Sequence, residues 1–205
     1  MIFENVLAPE TKNLIQKLTI KNLPKNTYLA GGTAVALYLG HRASNDLDFF
    51  TPSEFVEKQW EDKLAKELDF KLIKRDWQTL IGTINNVKFS LFSYKYKLIS
   101  PHYDYLKLKL ASIPDLCAMK LDTIIGRGTK RDYVDIYFLS QSHSLTEMLS
   151  FYEIKYGNLE EKEIMIKKAL VFFDEADTDE MPQMLIETDW EKTKQWFLHE
   201  AKSLD

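Results

Sequence analysis

Residues 31–50 read Gly31-Gly-Thr-Ala-Val-Ala-Leu-Tyr-Leu-Gly-His-Arg-Ala-Ser-Asn-Asp-Leu-Asp-Phe-Phe50, and the rest of the chain can be read outward from them. Just before them, Asn26 to Ala30 is short and apolar and reads as a strand ending in a tight glycine turn. Thr33 to Leu39 reads as a buried helix closed by Gly40 as its C-cap. Asp46 and Asp48 then alternate with Leu47, Phe49 and Phe50, so a second strand covers roughly Asp46 to Phe50. On a strand, residues i and i+2 point to the same face. Two carboxylates sharing a face of so apolar a strand are costly unless something positive offsets them. A divalent cation is a better account than a solvated face, and magnesium (or manganese) suits carboxylate and phosphate oxygens. Gly31, Gly32 and Thr33 sit at a strand–helix junction, where backbone N–H groups can face an anion such as a phosphate. A glycine pair alone is more often only a tight turn. The return through residues 40–44 brings the two half-sites together, so that a triphosphate on the loop would be bridged by metal to Asp46 and Asp48.

Further along, Thr51-Pro-Ser-Glu54 has the form of a capping box and predicts a helix running to about Leu68. Phe70 to Ile73, Thr79 to Ile84 and Val87 to Tyr94 read as strands, with Asn85-Asn86 as a hairpin turn. Upstream, residues 8–19 read as a helix. A second capping box, Ser112-Ile-Pro-Asp115, opens a stretch that is nearly all helix: Ile113 to Ile125, Asp132 to Ser140, and two or three more across 145–203. The expected fold class is α+β: a sheet lobe over residues 1–111, then a helical lobe over 112–205 packed on it.

Hydrophobic residues make up 45% and charged residues 28% of the 205, which suits a soluble globular chain with one substantial core. The formal charge of −4 gives no support to sequence-specific binding of duplex DNA, although 27 Lys and Arg leave room for a local basic patch. The single cysteine, Cys117, falls in an apolar helical pattern and reads as a buried thiol rather than a nucleophile. The first residues lack a basic start followed by an apolar run, and no stretch approaches the ~18 apolar residues of a membrane span. A cytoplasmic protein is expected.

Two further segments bear on chemistry. Lys120, Ile124 and Arg127 fall on one helix face at i, i+4 and i+7, where Lys120 could reach a phosphate. Arg131 and Asp135 are i, i+4 on the next helix, with Asp132 beside Arg131; a salt-bridge cluster tying two helices together explains these as well as function does.

Residues 31–50 closely resemble the signature of the AbiEii/AbiGii-type nucleotidyltransferase toxins, abortive-infection and toxin–antitoxin members of the polymerase-beta-like nucleotidyltransferase superfamily. Asp115-Leu-Cys-Ala-Met-Lys120 and Arg127-Gly-Thr-Lys-Arg-Asp-Tyr-Val-Asp135 look like a second block of the same family, and the resemblance runs from about Tyr28 to Leu139. It implies a polymerase-beta-like fold, with a mixed sheet flanked by helices, and transfer of a nucleoside monophosphate from an NTP to a hydroxyl. The acceptor would be the 3′ end of a tRNA or a protein side chain, and a cognate antitoxin is expected. It implies Asp46 and Asp48 as metal ligands, Gly31, Gly32 and Thr33 as phosphate-binding, and Lys120 and Asp135 at the nucleotide and catalytic site, with Arg131 and Asp132 as further candidates. His41 and Arg42 also match; by themselves they read as packing residues, with Arg42 neutralising an Asp. Transferases of this superfamily generally carry a third carboxylate on the strand beside the Asp-x-Asp strand. Here that strand, Val87 to Tyr94, has no acid, and Ser90 and Ser93 occupy the candidate places. A nucleotide- or partner-binding module without transfer activity, and a small-molecule transferase of the aminoglycoside-modifying kind, are the alternatives.

Overall fold

A computed structural model describes residues 1–204. Among them are seven strands: β1 (Tyr28–Ala30), β2 (Leu47–Thr51), β3 (Phe70–Asp76), β4 (Thr79–Ile84), β5 (Val87–Ser93), β6 (Tyr103–Tyr105) and β7 (Leu108–Leu110). They form one mixed sheet in the order β3-β4-β5-β2-β1-β7-β6. The helices are α1 (Pro9–Lys17), α2 (Gly31–Leu39), α3 (Glu57–Leu68), α4 (Ile113–Gly126), α5 (Lys130–Leu139), α6 (Leu145–Tyr156), α7 (Leu159–Leu170), α8 (Asp174–Thr178) and α9 (Trp190–Glu200). The class is mixed α+β, a mixed sheet flanked by helices. No described helix is long and apolar enough to cross a membrane.

The centre of the sheet follows from alternation. In β2, Leu47, Phe49 and Thr51 are buried on one face while Asp48 and Phe50 stand half-buried on the other. β1 pairs antiparallel with β2, setting Ala30 opposite Asp48. β5 pairs parallel with β2, setting Ser90 opposite Asp48. On the core side, Phe49 and Phe89 meet at 5.3 Å between ring centroids, and both are fully buried. The β4–β5 hairpin turns on Asn85 and Asn86, whose φ values of 49° and 66° are the left-handed pair that a tight turn needs.

Two stretches differ from the sequence expectation. Thr51 does not cap a helix. It ends β2, donates its hydroxyl to Lys25 O at 3.1 Å and accepts from Ser53 N at 3.2 Å. The chain bends at Pro52 and Ser53 and stays non-helical until α3 opens at Glu57, with Phe55 buried and its N–H held by Gln78 Oε1 at 3.0 Å. The strands β6 and β7 were not anticipated either. Each is three residues long, too short to show a period, and β7 extends the sheet by lying parallel to β1.

From Ile113 onward the chain is helical. Ser112 caps α4, accepting from Asp115 N at 3.2 Å. The Asp115 carboxylate accepts from Ile99 N and from Lys155 Nζ, at 3.0 and 2.7 Å, so a fully buried ion pair ties α4 and α6 to the loop after β5. Cys117 is fully buried, and burial pushes its thiol up to about 12, as expected of an inert core residue. Trp190, Phe173 and Phe197 pack around Tyr133, and Trp196 against Tyr137. One continuous core joins the sheet to these helices.

Phe89→Ala is expected to cost about 3–5 kcal/mol, since it empties a fully buried ring site between Phe49 and Phe70. A urea midpoint that falls at unchanged m-value would register it.

Candidate active site

β1 runs directly into α2, and Gly31 makes the corner at φ +66°. A Cβ there would lie 2.7 Å from Asp48 Oδ2, so this position needs glycine both for its backbone and for the carboxylate lying against it. A Cβ on Gly32 would collide with Arg42 Nη2. Ala30 offers α2 no side-chain cap, and Gly31, Gly32 and Thr33 all line the same cleft. The positive end of the helix therefore faces that cleft, the arrangement that suits an anion. Thr33 is buried, and its hydroxyl donates to Asp46 O and shares a hydrogen bond with Ser44 at 2.8 Å. Its side chain thus fixes the backbone that carries Asp46.

Asp46, just before β2, and Asp48 within it stand together on the cleft wall. Burial raises the Asp48 carboxyl above its ordinary range, a Ser90 hydrogen bond pulls the other way, and the charge of Asp46 adds to the rise. Lys88 approaches Asp46 only to 4.0 Å and remains half exposed. The carboxylate pair is thus short of positive charge.

Partly lining the cleft and partly behind it lies a second cluster. Asp135 is fully buried and accepts from Arg42 through both oxygens, at 2.7 and 2.8 Å, in a bidentate pair. His41 Nε2 lies 2.8 Å from one of these oxygens and Lys120 Nζ 2.6 Å from the other. Lys120 also donates to Asp132 at 2.8 Å, and Asp132 accepts from Thr129 as well. Burial alone would raise Asp135, but Lys120 and Arg42 outweigh it and hold the carboxyl well below the usual range. Burial likewise disfavours the charged forms of Lys120 and Arg42, and the aspartates, Asp135 foremost, overcome it and raise both. Outside the cluster, Arg42 pairs as an isolated bridge with Met184, Ala43 N donates to Gln183 O, and Leu185 N donates to His41 O. The segment between α8 and α9 therefore straps the His41–Ala43 turn.

The cleft between sheet and helices encloses about 590 Å³. It brings together Gly31, Gly32, Thr33, Asp46, Asp48, Lys120, Arg131 and Asp132 of the residues singled out from the sequence. Asp135 does not line it; its oxygens are held by three nitrogen-bearing side chains, and service as a base would require that cluster to open. Ser90 occupies the place beside Asp48 where a third carboxylate was sought. Lys88 and Arg127, missed as candidates, also line the cleft. Lys88 had a readable signal, since it lies two residues before Ser90 and so on the same strand face. That Arg42 neutralises an Asp was readable, but the identity of the partner it shares with His41 was not, because Asp135 is more than 90 positions away.

Two substitutions test these electrostatics. Without metal, the native state holds the Asp48 proton more tightly than the unfolded chain does. That contribution to stability is complete below the ordinary aspartate value and is lost as pH rises through the raised one. Asp48→Asn is therefore expected to melt above wild type at pH 7 in chelator, on a scale of about 2–4 °C per kcal/mol. The gap should close toward about pH 4; an Asn variant melting lower at neutral pH would contradict it. Asp135 carries the opposite sign, its stabilisation present at neutral pH and lost in acid as pH falls below the ordinary aspartate value. Asp135→Ala should cost about 3–5 kcal/mol in denaturant unfolding at neutral pH, because it leaves Arg42 and Lys120 buried with one partner too few.

Known proteins bear on this geometry. The family model described as nucleotidyl transferase AbiEii toxin, type IV TA system, matches residues 14–105 and 81–203. The uncharacterized protein aq_aa25 of Aquifex aeolicus is 33% identical over 206 residues, covering 96% of each chain. Among solved structures, the MenT4 nucleotidyltransferase toxin of Mycobacterium tuberculosis H37Rv superposes with a TM-score of 0.65 at 13% identity, over 95% of this chain and 83% of that one. JHP933 from Helicobacter pylori gives 0.57 at 18% identity, over 97% and 93%. At such identities the superpositions speak for the fold, while the two family matches together span nearly the whole chain. This chain belongs to the AbiEii family of nucleotidyltransferase toxins of type IV toxin–antitoxin systems.

Proposed function

We propose that this chain transfers a nucleoside monophosphate from an NTP to a hydroxyl of an RNA, such as a tRNA 3′ end, or of a protein, and acts in the cytoplasm as the toxin of a toxin–antitoxin or phage-defence pair. The observation that carries the reading is the Asp46–Asp48 pair, short of positive charge, with Asp48 lying against Gly31 at the open N-terminus of α2. Family membership supports nucleotidyl transfer as the class of reaction and an antitoxin as a partner.

In this reading the triphosphate lies on the backbone of Gly31 and Gly32. Asp46 and Asp48 would hold magnesium or manganese. The residues fit such an ion: two neighbouring carboxylates, one burdened by burial, are the number of protein ligands that magnesium takes when substrate phosphates and water fill its shell. Among the described residues no group of three or more acidic, His or Cys side chains gathers to hold a metal, so the substrate would supply the remaining oxygens. When bound, the ion would neutralise phosphate charge and polarise the reacting oxygens. Thr33 fixes the Asp46 backbone. Lys120, with two of its three N–H directions taken by Asp132 and Asp135, has one left for a phosphate oxygen. Arg131, exposed and without an ion-pair partner among the described residues, joins Lys88 and Arg127 as rim cations suited to a polyanionic acceptor. The candidate metal ligands thus come from residues 1–111 and Lys120, Arg131 and Asp132 from 112–205, two lobes closing on one cleft.

Transfer forms a bond from the acceptor oxygen to the α-phosphorus, breaks the bridge to the β-phosphate and releases pyrophosphate; the hydroxyl proton must leave as well. Ser90 is a poor receiver for that proton and Asp135 is tied into its ion pairs. That pairing favours, as a second reading, a module that binds nucleotide without transferring it.

Purified protein incubated with each α-labelled NTP, magnesium or manganese, and total tRNA or cell extract is expected to transfer label, and an Asp46→Ala/Asp48→Ala variant to transfer none. Metal-dependent nucleotide binding with no transfer from any NTP would establish the second reading.

A further inference from the structure

The cleft floor changes character along its length. At the start of and along β2, Asp46 (just before the strand), Asp48 and Phe50 follow one another on the cleft side, and on β5 so do Lys88, Ser90 and Phe92. The register sets Asp48 beside Ser90 and Phe50 beside Phe92. One step of two residues, about 7 Å along a strand, therefore carries the floor from carboxylate to aromatic ring. The two rings lie 5.3 Å apart between centroids, and both are only half-buried. Phe50 is flanked on the same face: Tyr28, its cross-strand partner, stacks on it at 6.1 Å, and Tyr94 meets it edge-on at 5.2 Å. Ile81 of β4 widens this floor, and Leu116 and Met119 of α4 face the same cleft. Two charged groups border this aromatic cluster: Lys155 Nζ lies over the Tyr94 ring at 5.6 Å but is matched by the buried Asp115 carboxylate, and Asp122 accepts from Tyr152, which packs on Tyr156, itself hydrogen-bonded to Tyr94. With that cation already matched, a flat, apolar, uncharged group suits the rings.

We propose that Phe50 and Phe92 form a seat for the nucleobase of the NTP, with Ile81 beside them and the Asp122 carboxylate available to accept N–H groups from the base edge. This rests on the nucleotidyl-transfer reading and extends it to the nucleoside half of the substrate. With the α-phosphate at Asp48, a ribose reaches from there to the rings. The step from Asp48 to Phe50 matches that span, and the seat lies on the same continuous floor. A base of the acceptor would use the same chemistry, and the experiment separates the two.

The test is calorimetric titration of the full chain, in magnesium, with each of the four NTPs and with inorganic tripolyphosphate. Wild type is expected to bind at least one NTP more tightly than tripolyphosphate. Phe92→Ala should weaken that NTP about 5- to 100-fold, the range of one aromatic–base stack, and leave tripolyphosphate unchanged. Phe92→Tyr, which keeps the ring, should restore NTP binding and so exclude a folding defect. Three results overturn the seat while leaving the transfer reading standing. These are an NTP bound no tighter than tripolyphosphate by wild type, equal losses for both ligands in Phe92→Ala, or unchanged NTP binding with a raised KM for the acceptor. Wild type binding neither ligand would defeat the transfer reading, and the seat with it.

Discussion

Asp135 is the hinge pin of the arrangement. Its carboxylate is inaccessible to water and holds Arg42, His41 and Lys120 at once, joining the turn after α2 to α4 and α5. A buried carboxylate is tolerable only while its cations stay in place, and each cation is tolerable only while the carboxylates do. The geometry propagates outward: Arg42 fills the space that a side chain at position 32 would need, Gly32 therefore stays bare, and the first turn of α2 keeps its backbone turned to the cleft. Removing Asp135 leaves its buried cations short of a partner rather than leaving a simple void.

The distribution of charge follows from this. Lys120, the cation nearest to hand in sequence arguments, is already balanced by two aspartates. The cations with charge to give are the less conspicuous ones at the rim, Lys88, Arg127 and Arg131. Conversely, Asp46 and Asp48, which look like a symmetrical pair on paper, differ in setting. Asp48 is pressed beneath Gly31 and beside Ser90, while Asp46 is the more exposed and hangs from the Thr33 hydroxyl by its backbone. One is positioned by packing, the other by a hydrogen bond to the main chain.

How much of this was legible beforehand divides along contact range. The β1–α2–β2 unit could be read because its signals are local: the glycine turn, the buried helix closed by Gly40 and the alternation through Phe50 all lie within one short stretch. The β4–β5 hairpin announced itself by Asn85-Asn86. Thr51 misled because its neighbours spell a helix cap while its hydroxyl is taken by Lys25, a contact that no local pattern encodes. The strands β6 and β7 are too short to show a period. Of the site, both aspartates and the glycine loop stand where the pattern put them, facing one cleft. The partnership of Arg42 with Asp135 was out of reach, since it joins residues 93 apart.

The strap between α8 and α9 gives the molecule a temporal order. Gln183 and Leu185 hydrogen-bond to the main chain of Ala43 and His41, at 2.8 Å in each case, on either side of Arg42. Chains emerge from the ribosome N-terminus first. The glycine loop and both aspartates therefore leave the exit tunnel long before the segment that locks their support in place. A nascent chain displays the motif but lacks its brace, and the cleft acquires its finished shape only after residues 183–185 have emerged.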